Sequence, residues 1–147
     1  MELKVKHFNE LTLSELYEIM RSRQEVFVVE QDCVYLDADG KDKNAYHVFI
    51  EDEGKVIAAL RVLDRGVSYS DASIGRVITT RRGEGLGEKI IRVGIEVAKE
   101  KYGADKIRIS AQVQASGFYK KYGFKQVSEV YLEDGIDHYE MLLETGI

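Results

Sequence analysis

Ile78-Thr79-Thr80-Arg81-Arg82-Gly83-Glu84-Gly85-Leu86-Gly87-Glu88-Lys89 is the stretch on which the reading of the fold turns. A β-branched run, Ile74 to Thr80, leads into it, and an amphipathic run ending near Lys101 leads out. A strand therefore passes through a glycine-rich turn directly into a helix. The first N–H groups of a helix have no intrahelical partner and sit at its positive end, so such a turn is an anion site. Arg81 and Arg82 stand just before it, and a phosphorylated ligand is expected. Two phosphate motifs are excluded by spacing. A dinucleotide fingerprint needs G-x-G-x-x-G, whereas Gly83, Gly85 and Gly87 are followed by Glu88. A P-loop needs a lysine straight after its last glycine and then Ser or Thr, whereas Lys89 lies between Glu88 and Ile90. The bland alternative is a tight turn with no ligand, and the position between strand and helix argues against it.

Working outward, Lys4 to Phe8 reads as a first strand. Leu16, Tyr17, Met20, Arg23-Gln24 and Phe27 fall at helical spacing, with Thr12 or Ser14 placed to cap. Val26-Phe27-Val28-Val29 either finishes that helix or unwinds it. Asp32 to Asn44 is a polar, acidic loop. Val48 to Glu51 and Val56 to Leu63 read as a hairpin through Asp52-Glu53-Gly54-Lys55, and Ala72 to Thr80 as the next strand. Leu86, Ile90, Val93, Gly94, Val97 and Ala98 share one helix face, closed by Gly103. Ile107 to Ala111 is a strand and Ala115 to Tyr122 a short helix closed by Gly123. Phe124 to Tyr131 and Tyr139 to Leu143 are the last strands, with Glu133-Asp134-Gly135 turning between them. The order β-α-β-β-β-α-β-α-β-β is an α+β pattern with one β-α-β unit at its centre.

The chain has 147 residues, 44% hydrophobic and 32% charged. That suits one domain, residues 1–147, around one core. No apolar run is long enough to span a membrane and no N-terminal signal pattern is present, so a cytoplasmic protein is expected. A net charge of -5 disfavours nucleic acid as a partner. The single cysteine, Cys33, excludes an internal disulfide and suits a reducing compartment. There is no proline, so the 13 glycines carry most of the turns.

With these elements in place, the chain resembles the GNAT superfamily of acyl-CoA-dependent N-acetyltransferases. Arg82-x-x-Gly85-x-Gly87 matches the superfamily's pyrophosphate-binding signature. Phe118-Tyr119-Lys120-Lys121-Tyr122-Gly123-Phe124 resembles its F-Y-x-[KR]-x-G-F segment, one helix and one strand later. The likeness narrows to the ElaA family and covers nearly the whole chain. It is carried by Val26-Phe27-Val28-Val29-Glu30-Gln31-Asp32-Cys33, by Tyr35-x-Asp37-x-Asp39-Gly40-x-Asp42 and by His47. Ile74-Gly75-Arg76-Val77, Ala111-Gln112-x-Gln114 and Tyr131-Leu132-Glu133-Asp134-Gly135-Ile136-x-His138 extend it. Val34 and Asp137 stand where family members carry proline, which touches local rigidity alone. The resemblance implies a mixed, mostly antiparallel central sheet flanked by helices, acetyl-CoA as acyl donor and an amine as acceptor.

Site residues follow from the same resemblance. The cofactor is expected along Arg82, Gly83, Glu84, Gly85, Leu86, Gly87 and Glu88. Arg82 supplies a permanent charge and the glycines allow close backbone approach. Val77, Ile78 and Thr79 are expected to hold the pantetheine arm by backbone hydrogen bonds, one N–H polarising the thioester oxygen. Phe118 and Gln112 are expected cofactor contacts, Gln112 replacing the superfamily's asparagine. Tyr119 is the expected general acid, since a phenol is protonated at neutral pH. For the general base the candidates are His138, favoured because the final strands border the acceptor side, and Glu30. His47 and His7 are weaker candidates. A covalent acyl-Cys33 is discounted, because the superfamily implies direct attack in a ternary complex. No metal is expected: Cys33, His47 and His138 lack paired zinc spacing, and Tyr35 and Tyr46 occupy the places where a calcium loop needs acids. Residues 37 to 42 read as a solvated acidic loop rather than an attractor of a cationic amine. A non-catalytic acyl-CoA sensor is the rival function, and a plain structural domain the third reading. The acceptor and the oligomeric state stay open, a homodimer being common in the superfamily.

Overall fold

The structure, a computed structural model, describes residues 1–147. Strand β1 (Glu2–His7) is followed by a capped turn and helix α1 (Leu13–Arg23). Thr12 is the cap: its hydroxyl accepts from Glu15 N–H at 3.1 Å, and Glu15 Oε1 accepts from Thr12 N–H at 2.9 Å. This reciprocal box satisfies two donors that the helix end would otherwise leave orphaned. The β-branched run Val26–Val29 neither ends nor unwinds the helix. It winds on more widely, as a π-helical segment over Gln24–Glu30. Gln31 N–H bonds back to Val26 O and Cys33 N–H to Val28 O, each five residues earlier.

Strands β2 (Tyr46–Asp52), β3 (Lys55–Leu63) and β4 (Ala72–Thr79) continue the antiparallel sheet. Helix α2 (Leu86–Tyr102) crosses over to β5 (Lys106–Gln112), which pairs parallel to β4. Helix α3 (Ser116–Lys120), β6 (Lys125–Gln126), β7 (Tyr131–Glu133) and β8 (Ile136–Glu144) complete the chain. The strand order is β1-β2-β3-β4-β5-β8-β6, with β7 also on β8. This is the mixed, mostly antiparallel sheet that the family resemblance implies, in the α+β element order read from the sequence. The one departure is Phe124 to Tyr131, which splits into β6 and β7. Ser128 breaks it, because its hydroxyl rather than a backbone carbonyl accepts Glu140 N–H at 2.8 Å. No helix is long and apolar enough to cross a membrane.

Both faces of the sheet are covered. Leu86, Ile90, Ile91, Val97 and Ala98 of α2 pack on Val48, Ile50, Leu60, Val62 and Ile74. A Cβ on Gly94 would lie 3.1 Å from both Leu60 methyls, so glycine lets α2 approach β3 this closely. On the opposite face Ile19 and Val26 pack on Phe49, Val56, Ala59 and Ile78. The strands' period of two thus divides neighbouring residues between two helical layers.

Candidate active site

Where β4 and β5 meet, only Ala72–Ile107 and Ser73–Arg108 pair; beyond that the two strands part. The separation has a local cause. Pairing with β3 jumps from Ala59–Ile78 to Arg61–Gly75, so Arg76 and Val77 together oppose Leu60. Arg76 takes a φ of +51°, a left-handed conformation that a residue with a Cβ seldom adopts. This is a β-bulge, and it bends β4 away from its parallel neighbour. Backbone groups of Val77 to Thr79 that face β5 therefore have no strand partner. The wedge between the strands is a cavity of about 400 Å³.

One end of the cavity reaches the glycine turn. Gly83 and Gly85 have φ of +77° and +70°, and Gly85 starts α2 with no side-chain cap. Lys89 N–H is the donor that reaches Gly85 O. The N–H groups of Leu86, Gly87 and Glu88 thus end the helix unpartnered, at its positive pole. Arg82, which lines the same cavity, donates to Thr79 O and Thr79 Oγ1 at 2.7 Å each and pairs with Glu30. Side chains elsewhere in the turn point away from the cavity. Leu86 is in the core, Glu84 lies near Arg81, and Glu88 pairs with Arg92 along α2. Glu30 is half-exposed at the end of the π-helical segment and is not part of the cavity wall.

Phe118 and Tyr119 of α3 line the middle of the cavity. The Tyr119 ring is fixed edge-on between Phe118 and Phe124, with centroids 5.2 and 5.9 Å away. Burial alone pushes its phenol up to about 12, because a phenolate there would lose its solvation. The hydroxyl of this cavity-lining residue therefore keeps its proton and is available as a donor. Gln112 lies opposite, its amide donating to Gln31 Oε1 at 3.2 Å. Cys33 reaches across to the Asp134 carbonyl at 3.4 Å.

The far end is built by β5, β7 and β8. Asp134 and Gly135 take φ of +51° and +77°, so they alone form the tight hairpin turn. That leaves Glu133 as the last residue of β7, opposite Ile136. Tyr131 and Ser110 hydroxyls lie 2.6 Å apart, and Ser110 donates to Glu133 Oε1 at 3.2 Å. His138, in β8 rather than at the turn, is 6% exposed and stacked on Tyr131. Its Nδ1 lies 2.7 Å from Ile136 O and its Nε2 3.4 Å from Glu133 Oε2.

Two acids of the loop, Asp37 and Asp42, are buried rather than solvated, which corrects the sequence reading for them. Asp37 and Asp42 are 5% and 6% exposed, and both are held by Arg23, itself 1% exposed. Arg61 donates to Asp39 at 2.6 Å and Asp42 at 3.1 Å. Arg76 donates to Asp37 at 2.8 Å and stacks over Tyr35, whose hydroxyl also donates to Asp37. Burial would raise the Asp39 and Asp42 carboxyls, but Arg61 for the first and Arg23 for the second hold them below the usual range. These ion pairs seal the loop against the sheet, so that Gln31, Cys33 and Tyr35 form a cavity wall. His47 belongs to this cluster. Its Nε2 donates to Asp42 O at 3.0 Å, burial lowers its pKa, and it does not touch the cavity. His7 caps the turn after β1 by accepting Asn9 N–H.

Of the residues expected from sequence, Val77, Ile78, Thr79, Arg82, Gly87, Gln112, Phe118, Tyr119 and His138 converge on this cavity. Arg76, Ser110 and Glu133 join them without having been expected as site residues. Their signals, a charged residue at a strand bulge and alternation along β5 and β7, are visible only once the strands are paired.

The chain matches the acetyltransferase (GNAT) domain family over residues 6–145. It is 38% identical to a UPF0039 protein of Synechocystis, an alignment covering 93% of this chain and 91% of that one. An acyl-CoA N-acyltransferase from Pseudomonas aeruginosa superposes with a TM-score of 0.91 at 36% identity, over 97% of this chain and 99% of its own. Escherichia coli ElaA superposes with a TM-score of 0.90 at 34% identity, over 98% and 100%.

Proposed function

The chain belongs to the GNAT acetyltransferases, in the ElaA/UPF0039 family, and from that premise we propose that it transfers acetyl from acetyl-CoA to an amine by direct attack in a ternary complex. The observation that carries this reading is one cavity that joins an uncapped helix N-terminus to a half-buried, protonated tyrosine. Those features fit the proposed donor. Unpartnered N–H groups of Leu86 to Glu88 and the Arg82 guanidinium suit a pyrophosphate. The open backbone edge of Val77 to Thr79 suits an amide-bearing arm laid as a short strand.

Acetyl-CoA, when bound, supplies the acetyl group as an activated thioester. A β4 N–H at the bulge holds developing negative charge on the acyl oxygen. Tyr119 gives its hydroxyl proton to the departing sulfur. The tyrosine is reprotonated by the second proton that the attacking nitrogen sheds. Cys33 faces the Asp134 carbonyl and plays no covalent part.

Calorimetric titration with acetyl-CoA, followed by detection of free thiol against a panel of amines, tests the proposal. Binding with amine-dependent thiol release is expected. Binding with no release from any amine indicates a sensor, and absence of binding refutes both readings.

A further inference from the structure

Every cation lining the cavity is already engaged. Arg82 is paired at the turn end with Glu30, and Arg76 is bound by Asp37 and Asp39. No lysine lines the wall. Glu133 lines the same cavity as Tyr119, with 47% of its side chain exposed. Ser110 orients one of its oxygens, and Tyr131 in turn bonds to Ser110. The other oxygen faces His138 Nε2. Ile136 O can only accept, so His138 Nδ1 carries a proton and donates it there. The ring's one remaining nitrogen is the one directed at Glu133. His138 and Glu133 both line the cavity, and the one free ring nitrogen is held toward Glu133.

Resting on the acetyl-transfer reading, we infer that Glu133 is the acceptor-binding residue and that the acceptor is a protonated alkylamine with no carboxylate beside its amine. Glu133 takes the ammonium group by charge-assisted hydrogen bonds. One ammonium proton passes to the Glu133–His138 pair and on to solvent, which frees the nitrogen lone pair for attack. The second nitrogen proton balances the one spent on sulfur at Tyr119. An α-amino acid is disfavoured, because its carboxylate would meet Glu133 and find no free cation. His138 is a positioning residue here, and so are Ser110 and Tyr131.

Steady-state kinetics of the full chain test this with three acceptors: a diaminoalkane, a free α-amino acid whose only amine is the α-amine, and an arylamine that is uncharged at neutral pH. Glu133→Gln is expected to raise KM for the diaminoalkane about tenfold or more. KM for the arylamine and for acetyl-CoA should stay within about twofold. Glu133→Asp should restore part of the loss. His138→Gln should lower kcat for the diaminoalkane more than it raises KM. Equal losses on charged and uncharged amines, an unchanged diaminoalkane KM, or a wild-type preference for the α-amino acid each overturn the inference. Absence of thiol release from wild type with every amine overturns the transfer reading and this inference together.

Discussion

Replacing Arg23 with methionine removes the charge at the centre of the ion-pair cluster and keeps a side chain of similar length. Arg23 is 1% exposed and donates to Asp37 at 2.9 Å and Asp42 at 2.6 Å. Breaking a buried pair by removing one partner costs about 3–5 kcal/mol, because the other charge stays behind without compensation. Each aspartate here keeps a second arginine: Asp37 retains Arg76 and Asp42 retains Arg61. The lower end, about 3 kcal/mol, is therefore expected. At an unfolding entropy of about 2.1 cal/mol/K per residue, 147 residues give ~0.3 kcal/mol/K, so Tm should fall by about 10 °C. Scanning calorimetry measures this. Arg21→Met is the control, since Arg21 pairs with Glu18 and Glu25 at the surface and should shift Tm by no more than about 3 °C. Combining Arg23→Met with Asp42→Asn should recover part of the loss. An Arg23→Met shift no larger than the Arg21→Met shift would refute the reasoning.

Other consequences can be measured separately. Tyr119→Phe should lower kcat about 100-fold or more while the acetyl-CoA Kd stays unchanged, since the ring packing survives and only the proton donor is lost; a purely structural role would alter Kd and Tm instead. Arg82→Ala should weaken acetyl-CoA binding about tenfold in calorimetry. Glu30→Gln should tighten it a few-fold by removing the competing carboxylate; a large loss of turnover instead would make Glu30 the base. Glu15 makes one separable contribution to the pH dependence of stability. Burial opposes its charge, but the Thr12 N–H and the Lys6 and Lys4 ammonium groups outweigh that and hold its carboxyl at about 2 instead of 4.5. Its contribution, about 3 kcal/mol, is full above pH about 4.5 and disappears as pH falls through about 2. Urea unfolding of wild type and Glu15→Gln should therefore differ at pH 6 and converge near pH 2.

The turn from β4 into α2 was legible because everything that makes it is local. Its β-branched run, its three glycines and the helical period that follows all lie within one short stretch. The hairpin at Asp52 to Lys55 was legible for the same reason, and the cap was legible as Thr12 or Ser14, of which Thr12 serves. What was misread depends on distant partners. Asp37 and Asp42 look solvated until Arg23, Arg61 and Arg76, from a helix and two different strands, are brought against them. Ser128 breaks a strand-like run through a bond to Glu140 on β8. Glu133 reads as part of a turn, and only the left-handed Asp134-Gly135 pair returns it to β7, facing Ser110 and His138.

The central claim is that the wedge between β4 and β5 holds the acyl donor with its sulfur at Tyr119. A crystal structure with coenzyme A bound tests it directly. Pyrophosphate oxygens are expected on the N–H groups of Leu86 to Glu88 and on Arg82, with the sulfur within about 3.5 Å of the Tyr119 hydroxyl. Coenzyme A seated elsewhere, or lying in the wedge with its sulfur out of reach of Tyr119, would contradict it.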